Sequence, residues 1–265
     1  MRKYAAVARI LYKAQMVYRF DVAMTAIATI GRIVFAVIVW GAIFNGREVV
    51  AGFTLASMLS YYVIAAFLSS LDMSPGVSSE VSSRIRDGSF TKFMVIPSNP
   101  LLHFAAQNAG AGLYYAFFSL LGAGIGMAAF RIWPGIAFAP GAVLLAVVMV
   151  PLGLLFMIAY HFLIGVLAFR FQEVGFFLHV QSALLQFATG AIVPLALLPE
   201  GTLAVLRFLP FTYVAYMPAM LLTGQAAVRE GLLGLAVLAG WTVFMAALAQ
   251  TVYTRYRIRY DGVGI

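Results

Sequence analysis

The sequence predicts an all-α membrane protein with six transmembrane helices, and three observations carry that prediction. Hydrophobic residues make up 63% of the 265 and charged residues only 10%, with a mean hydropathy of +0.98, a balance far from that of soluble domains. Six runs approach or exceed the roughly 20 apolar residues that a bilayer span needs. The cations between those runs are unevenly placed, in the pattern that orients membrane proteins.

Residues 1–20 open the chain as an amphipathic interfacial helix. Tyr4, Val7, Leu11, Ala14 and Tyr18 fall on one helical face and Arg2, Arg9 and Lys13 on the opposite one, which suits a helix lying in the membrane surface with its apolar side down. About twenty residues precede an apolar run long enough to span, so the first helix reads as retained rather than as a cleaved leader. Residues 21–265 read as one transmembrane domain, with spans at 22–44, 53–71, 101–129, 139–169, 176–198 and 231–253. The connections at 45–52, 131–138 and 170–175 are too short to hold a folded extramembrane domain.

The long polar segment is 73–97, between the second and third spans. Ser74 is placed to cap a helix, Pro75 suits its first turn, and Gly88 suits a left-handed stop after Asp87. Val77, Val81 and Ile85 recur every four residues as one apolar stripe, with Glu80 and Arg84 spaced i,i+4 on another face. Two readings follow: a helix that touches membrane helices on one side and a soluble partner on the other, or a polar loop that turns the chain around.

In the third span, 109–112 and the pair Gly122 and Gly126 put small residues where helix backbones approach closely, which reads as packing. At 191–224, Pro194, Pro199, Pro210 and Pro218 interrupt a run that stays apolar. Short half-helices that dip into the outer leaflet and turn back are expected there, with Tyr213 and Tyr216 at the outer interface.

With both termini cytoplasmic, the inner side collects Arg2, Lys3, Arg9, Lys13, Arg19, Arg84, Arg86, Lys92, Arg170, Arg255, Arg257 and Arg259, against Arg47, Arg131, Arg207 and Arg229 outside. The net charge of +8 therefore reports orientation and attraction to anionic headgroups rather than a nucleic-acid partner.

Reaction chemistry is not visible. There is no cysteine, and His103, His161 and His179 show no paired ligand spacing. No acid pair lies at one depth, and no phosphate-cradling loop occurs. The chain reads as neither an enzyme nor a holder of metal or cofactor. One charge does lie deep: Arg32, mid-span, where a cation costs roughly 2.5 to 3.5 kcal/mol, so it must face protein or water. It reads either as a contact in a substrate route or as a structural partner of Gln186 or of backbone carbonyls. Asn108, Gln181 and Gln186 are the other polar side chains within spans, open to interhelical hydrogen bonding; Asn108 and Gln186 join Arg32 as pathway candidates.

The stretch Glu80-Val-Ser-Ser-Arg-Ile-Arg-Asp-Gly-Ser-Phe-Thr-Lys-Phe-Met-Val-Ile-Pro-Ser-Asn-Pro-Leu-Leu-His103 resembles the insertion of the bacterial ABC-2 permeases called viologen exporter permeases. The whole layout of spans resembles ABC-2 permeases of type V exporters. That resemblance implies a multi-pass subunit of the bacterial inner membrane, paired with a second permease chain, identical or related. Two separate cytoplasmic ATPase subunits would carry the ATP and magnesium. It also implies that the insertion is the coupling helix, with Glu80, Arg84, Arg86 and Asp87 meeting the ATPase and Gly88 setting the turn. Substrates of such exporters range from small toxic compounds, as in multidrug efflux, to lipids and glycans. The alternative is a secondary carrier or channel without an ATPase. Carriers show midplane carboxylates or helices broken at corresponding places in two repeats, and neither is apparent.

Overall fold

The computed structural model describes residues 2–17, 19–96, 98–132, 139–171, 175–191 and 193–258, with backbone alone at 19, 21–23, 25–26, 175–177 and 179. The expectations for Tyr18, Arg259, the 133–138 part of one loop, 172–174 of another, and the side chains of Arg19 and His179 lie outside the described residues.

The amphipathic start is helix α1 (Arg2–Gln15), followed by α2 (Arg19–Phe44), α3 (Leu55–Leu71), α4 (Ser74–Arg86), α5 (Thr91–Val95), α6 (Pro100–Ala129), α7 (Pro140–Val166), α8 (Gly175–Ala188), α9 (Glu200–Leu206), α10 (Tyr216–Leu222) and α11 (Val228–Arg257). Short 3-10 turns cover Leu167–Phe169, Leu195–Leu197 and Pro210–Tyr213. Among the described residues there is no strand, and the lone bridge is between Val50 and Phe53.

Local chemistry sets the helix starts. Thr54 and Ser57 form a reciprocal capping box at α3. Asn99 accepts from the Leu102 N–H at 3.3 Å and Pro100 opens α6, where a missing N–H has no consequence. Ser74 does not cap α4, contrary to the sequence expectation. The carboxylate of Asp72 accepts from the Ser74 backbone N–H at 3.0 Å, while the Ser74 side chain is buried. The helix already includes Ser74, so its hydroxyl is not at the cap position from which a side chain reaches the N–H groups two or three residues on.

Among the described residues five helical runs are long and apolar enough to cross a membrane: Ile27–Phe44, Leu55–Arg86, Pro100–Ala129, Pro140–Phe169 and Val228–Arg257. A sixth is reached by counting Glu200–Leu206 with Pro210–Leu222, which meet at 86°. The run expected at 176–198 is shorter than a span: α8 ends at Ala188, and Gly190 adopts φ +73°. Gly190 breaks the helix there because only a residue without Cβ takes that conformation at little cost. Fourteen residues reach about 21 Å, less than the roughly 30 Å hydrocarbon thickness.

The proline-rich segment is broken into half-helices as expected, and side chains satisfy its exposed carbonyls. Thr212 Oγ1 donates to the Leu206 carbonyl at 2.8 Å, Tyr213 Oη to that of Arg207 at 2.6 Å, and Trp241 Nε1 to that of Phe208 at 3.0 Å. Tyr213 and Tyr216, expected at an interface, are instead 6% exposed each. Tyr213 is drawn in by that bond, and Tyr216 by an edge contact with Tyr61, whose hydroxyl donates to the Gly190 carbonyl at 2.7 Å.

Glycines permit the close approaches. At Gly110 a Cβ would collide with the backbone carbonyl of Ala8, so α1 lies directly on α6 there. Tyr4 Oη accepts from the Asn99 N–H and the rings of Tyr12 and Tyr114 meet edge to face. Gly126 leaves room for Ile33 between α6 and α2. The apolar face of α1 is therefore covered by protein along Tyr4, Val7, Leu11 and Ala14, each half-buried.

Candidate functional site

Two features converge on α4. The first is a cavity of about 750 Å³ bounded by α2, α3, α7, α8 and the segment before α10. Arg32, Tyr62, Asp72, His161 and Gln186 supply its main polar groups, and Phe35, Met157, Leu185 and Val214 are among its apolar walls. Arg32 and Gln186 are both exposed to it, and no described residue bonds to the guanidinium or to the Gln186 amide. The direct pairing of Arg32 with Gln186 expected as one alternative is absent. Asn108 does not line this cavity: its amide donates to the Phe104 carbonyl one turn back on α6 at 3.0 Å. Gln181 hydrogen-bonds across helices, accepting from Tyr160 Oη at 3.0 Å.

Sequence reasoning missed Asp72 and His161. Asp72, whose carboxylate accepts from the first N–H of α4, lines the cavity together with Pro75 in the first turn of that helix. The signal was present as an acid two residues before a Ser-Pro helix start. His161 lines the same wall from α7. Its Nδ1 lies 3.2 Å from Ser78 Oγ. That hydroxyl already donates to the Pro75 carbonyl at 2.9 Å, so the imidazole is the donor and locks α7 onto α4. A lone histidine in a span carries no spacing that would have announced this.

The second feature is a hook made of α4, the turn at Gly88 and α5. Val77, Val81 and Ile85 are 2%, 0% and 3% exposed, so the predicted apolar stripe is the docked face. It rests on α7 at Gly165, where a Cβ would lie 2.7 Å from Val81 Cβ. Gly88 has φ +79°, and beyond it the Phe90 N–H returns to the Arg84 carbonyl at 2.9 Å. Phe90 is fully buried against Phe93, Phe169 and Tyr253.

The expected contact residues divide in two. Glu80 and Arg84 face each other, with Arg84 Nε and Nη2 donating to Glu80 Oε1 at 2.9 and 2.7 Å, and the guanidinium lies 5.7 Å from the Phe93 ring centre. Arg84 is thus engaged within the hook. Arg86 and Asp87 are exposed at its tip beside exposed Lys92. Hydrogen bonds from the side chain and backbone of Ser89 hold the Asp87 carboxyl below its ordinary range, with Arg84 and Lys92 contributing.

Comparison with protein families decides the affiliation. A family model described as ABC-2 family transporter protein matches residues 30–264. The chain belongs to that family. No match was found among curated proteins or among solved structures. The matched region begins inside α2 and takes in the cavity and the hook, whereas α1 lies before it. This ABC-2 protein is therefore a multi-pass, all-α membrane protein of a transporter family. Its α4 joins the two features: one end of the helix lines the cavity and the other carries the exposed charges.

Proposed function

We propose that this ABC-2 protein is the permease subunit of an ATP-driven exporter, working with a second permease chain and with separate cytoplasmic ATPase subunits. The observation that carries the reading is the construction of α4. Thirteen residues, about 20 Å of helix, run from the cavity wall at Pro75 to the tip at Arg86, and the helix is buried on one face along its whole length. A rigid element with one end in a binding space and the other in a charged turn transmits displacement between them, as a loop would not. On this reading the tip and both termini are cytoplasmic, in the inner membrane of a bacterium, and the twelve-to-four division of cations supports that orientation.

In the proposed cycle, ATPase closure pushes the Arg86, Asp87 and Lys92 tip, and α4 shifts against α7 at the Gly165 and His161 supports. Asp72 and Pro75 move with it and reshape the inner end of the cavity. Arg84 serves by keeping the hook rigid, and Arg86, exposed beside Lys92, meets the ATPase.

The test is copurification of the ATPase with tagged permease, and ATP turnover in nanodiscs, for Arg86→Glu against the control Arg47→Glu at the opposite end of α2. A charge reversal at a desolvated contact costs about 2 to 5 kcal/mol, so Arg86→Glu should strip the ATPase while Arg47→Glu retains it. If the two variants behave alike and no ATPase accompanies the wild type, the carrier alternative takes over. Orientation is checked separately with single cysteines: Lys3→Cys and Asp87→Cys should resist an impermeant thiol reagent on intact cells, and Arg47→Cys and Thr202→Cys should react.

A further inference from the structure

We propose that the cavity at Arg32 receives the acidic head of an anionic amphiphile, and that this is the substrate class of the transporter. The word substrate rests on the exporter reading above; binding does not.

Arg32 stands 13 residues after Arg19 and 12 before Phe44 in α2 (32 − 19 and 44 − 32), roughly 18 to 20 Å from either end. A guanidinium at that depth needs water, an anion or a protein group to meet it. Among the described residues it has no ion pair and no hydrogen bond, yet it is exposed to the cavity. Gln186, also exposed and with its amide unengaged by any described residue, lines the same space. A planar fork of N–H donors with a further amide N–H₂ matches a carboxylate, sulfonate or phosphate.

Among the described lining residues the one carboxylate, Asp72, belongs to the end of α3 and is already held by the Ser74 N–H at 3.0 Å. It does not neutralise a cation at mid-span. The rest of the chemistry is apolar: Phe35, Met157, Leu185 and Val214 offer walls for a hydrocarbon body. A volume of about 750 Å³ falls within the range of roughly 300 to 1,000 Å³ typical of small-molecule sites. A lipophilic cation would instead meet Arg32 in a medium of low dielectric, where like charges repel strongly.

A free amphiphilic acid and the headgroup of an acidic lipid share this chemistry. The experiment uses the full chain in phosphatidylcholine nanodiscs with two photoreactive probes of equal length, a diazirine-bearing dodecanoate and a diazirine-bearing dodecyltrimethylammonium. The dodecanoate probe should label peptides of α2 or α8 saturably, with competition by unlabelled dodecanoate. Arg32→Gln should weaken labelling at least tenfold, Arg32→Lys should restore most of it, and Arg47→Gln should leave it unchanged. Competition by added phosphatidylglycerol assigns the site to lipid headgroups; its absence assigns the site to free acids. Either result supports the proposal.

Equal saturable labelling by the cationic probe overturns it, as does wild-type affinity in Arg32→Gln. A change of oligomeric state in Arg32→Gln without a change in probe affinity also overturns it, since Arg32 would then be satisfied by a second copy. No ATPase is present in this assay, so loss of ATPase association and loss of anion binding are separate failures.

Discussion

Replacing Gly165 by alanine tests whether α4 is held by α7 or merely lies near it. A Cβ at that position would sit 2.7 Å from Val81 Cβ, 2.9 Å from Val81 Cγ1 and 3.1 Å from the Ser78 carbonyl oxygen. Relaxed carbon contacts are about 3.5 to 4.0 Å, so the methyl group requires on the order of 1 Å of additional room. Val81 is fully buried and β-branched, with one strongly preferred rotamer in a helix. The Ser78 oxygen belongs to the α4 backbone. Neither can swing aside, so α4 must shift as a body.

Overpacking of this kind costs about 1 to 3 kcal/mol, offset by about 1 kcal/mol because alanine suits a helix interior better than glycine. The net loss of stability is therefore small, about 0 to 2 kcal/mol. The displacement at the hook tip is what should register. Gly165→Ala should lower the Tm by a few degrees at most while reducing substrate-stimulated ATP turnover several-fold. Gly76→Ala, on α4 itself but with nothing within 4 Å of the added carbon, should leave both unchanged. Adding Val81→Ala removes the Cγ1 contact and should recover part of the stimulation in Gly165→Ala, the coupling expected of touching residues. Wild-type stimulation in Gly165→Ala would refute the claim that this contact carries motion between the two sites.

Three further outcomes follow from individual contacts. Gly110→Ala places its Cβ against the backbone of Ala8, so α1 should lift from α6 and tryptic cleavage after Arg9 and Lys13 should accelerate. Gly88→Val strains a position at φ +79° by about 1 to 2 kcal/mol, which should lower the Tm and speed amide exchange across Thr91–Val95. Gly88→Asn, which tolerates the left-handed region better, should recover part of both. Because the Asp87 carboxyl is depressed below its ordinary range by Ser89, its support of the turn is fully present above that ordinary range and is lost as pH falls through the depressed value. Exchange protection of the Ser89 amide, corrected for intrinsic rate, should persist at neutral pH and vanish only in acid, and Asp87→Asn should remove that dependence.

Linear order already carried most of the architecture. Apolar run length marked five of the six expected spans, the four-residue recurrence of Val77, Val81 and Ile85 marked the buried face of α4, and Gly88 marked its stop. These properties are local: bilayer thickness, helical periodicity and backbone sterics act on neighbours in the chain, so they can be read without knowing the fold. The glycines at 110 and 126 were legible as sites of close approach, although not the partners they admit.

Tertiary structure decided what lies opposite what. Arg32 and Gln186 are 154 positions apart (186 − 32), and nothing local says that they share a cavity, or that Asn108 instead bonds back to its own helix. The lock between His161 and Ser78 and the burial of Tyr216 against Tyr61 are likewise encounters between distant segments. Residue type alone could not separate Arg84 from Arg86. One is committed to Glu80 and the Phe93 ring and the other faces outward, because the helical turn between them points one side chain along the hook and the other away from it.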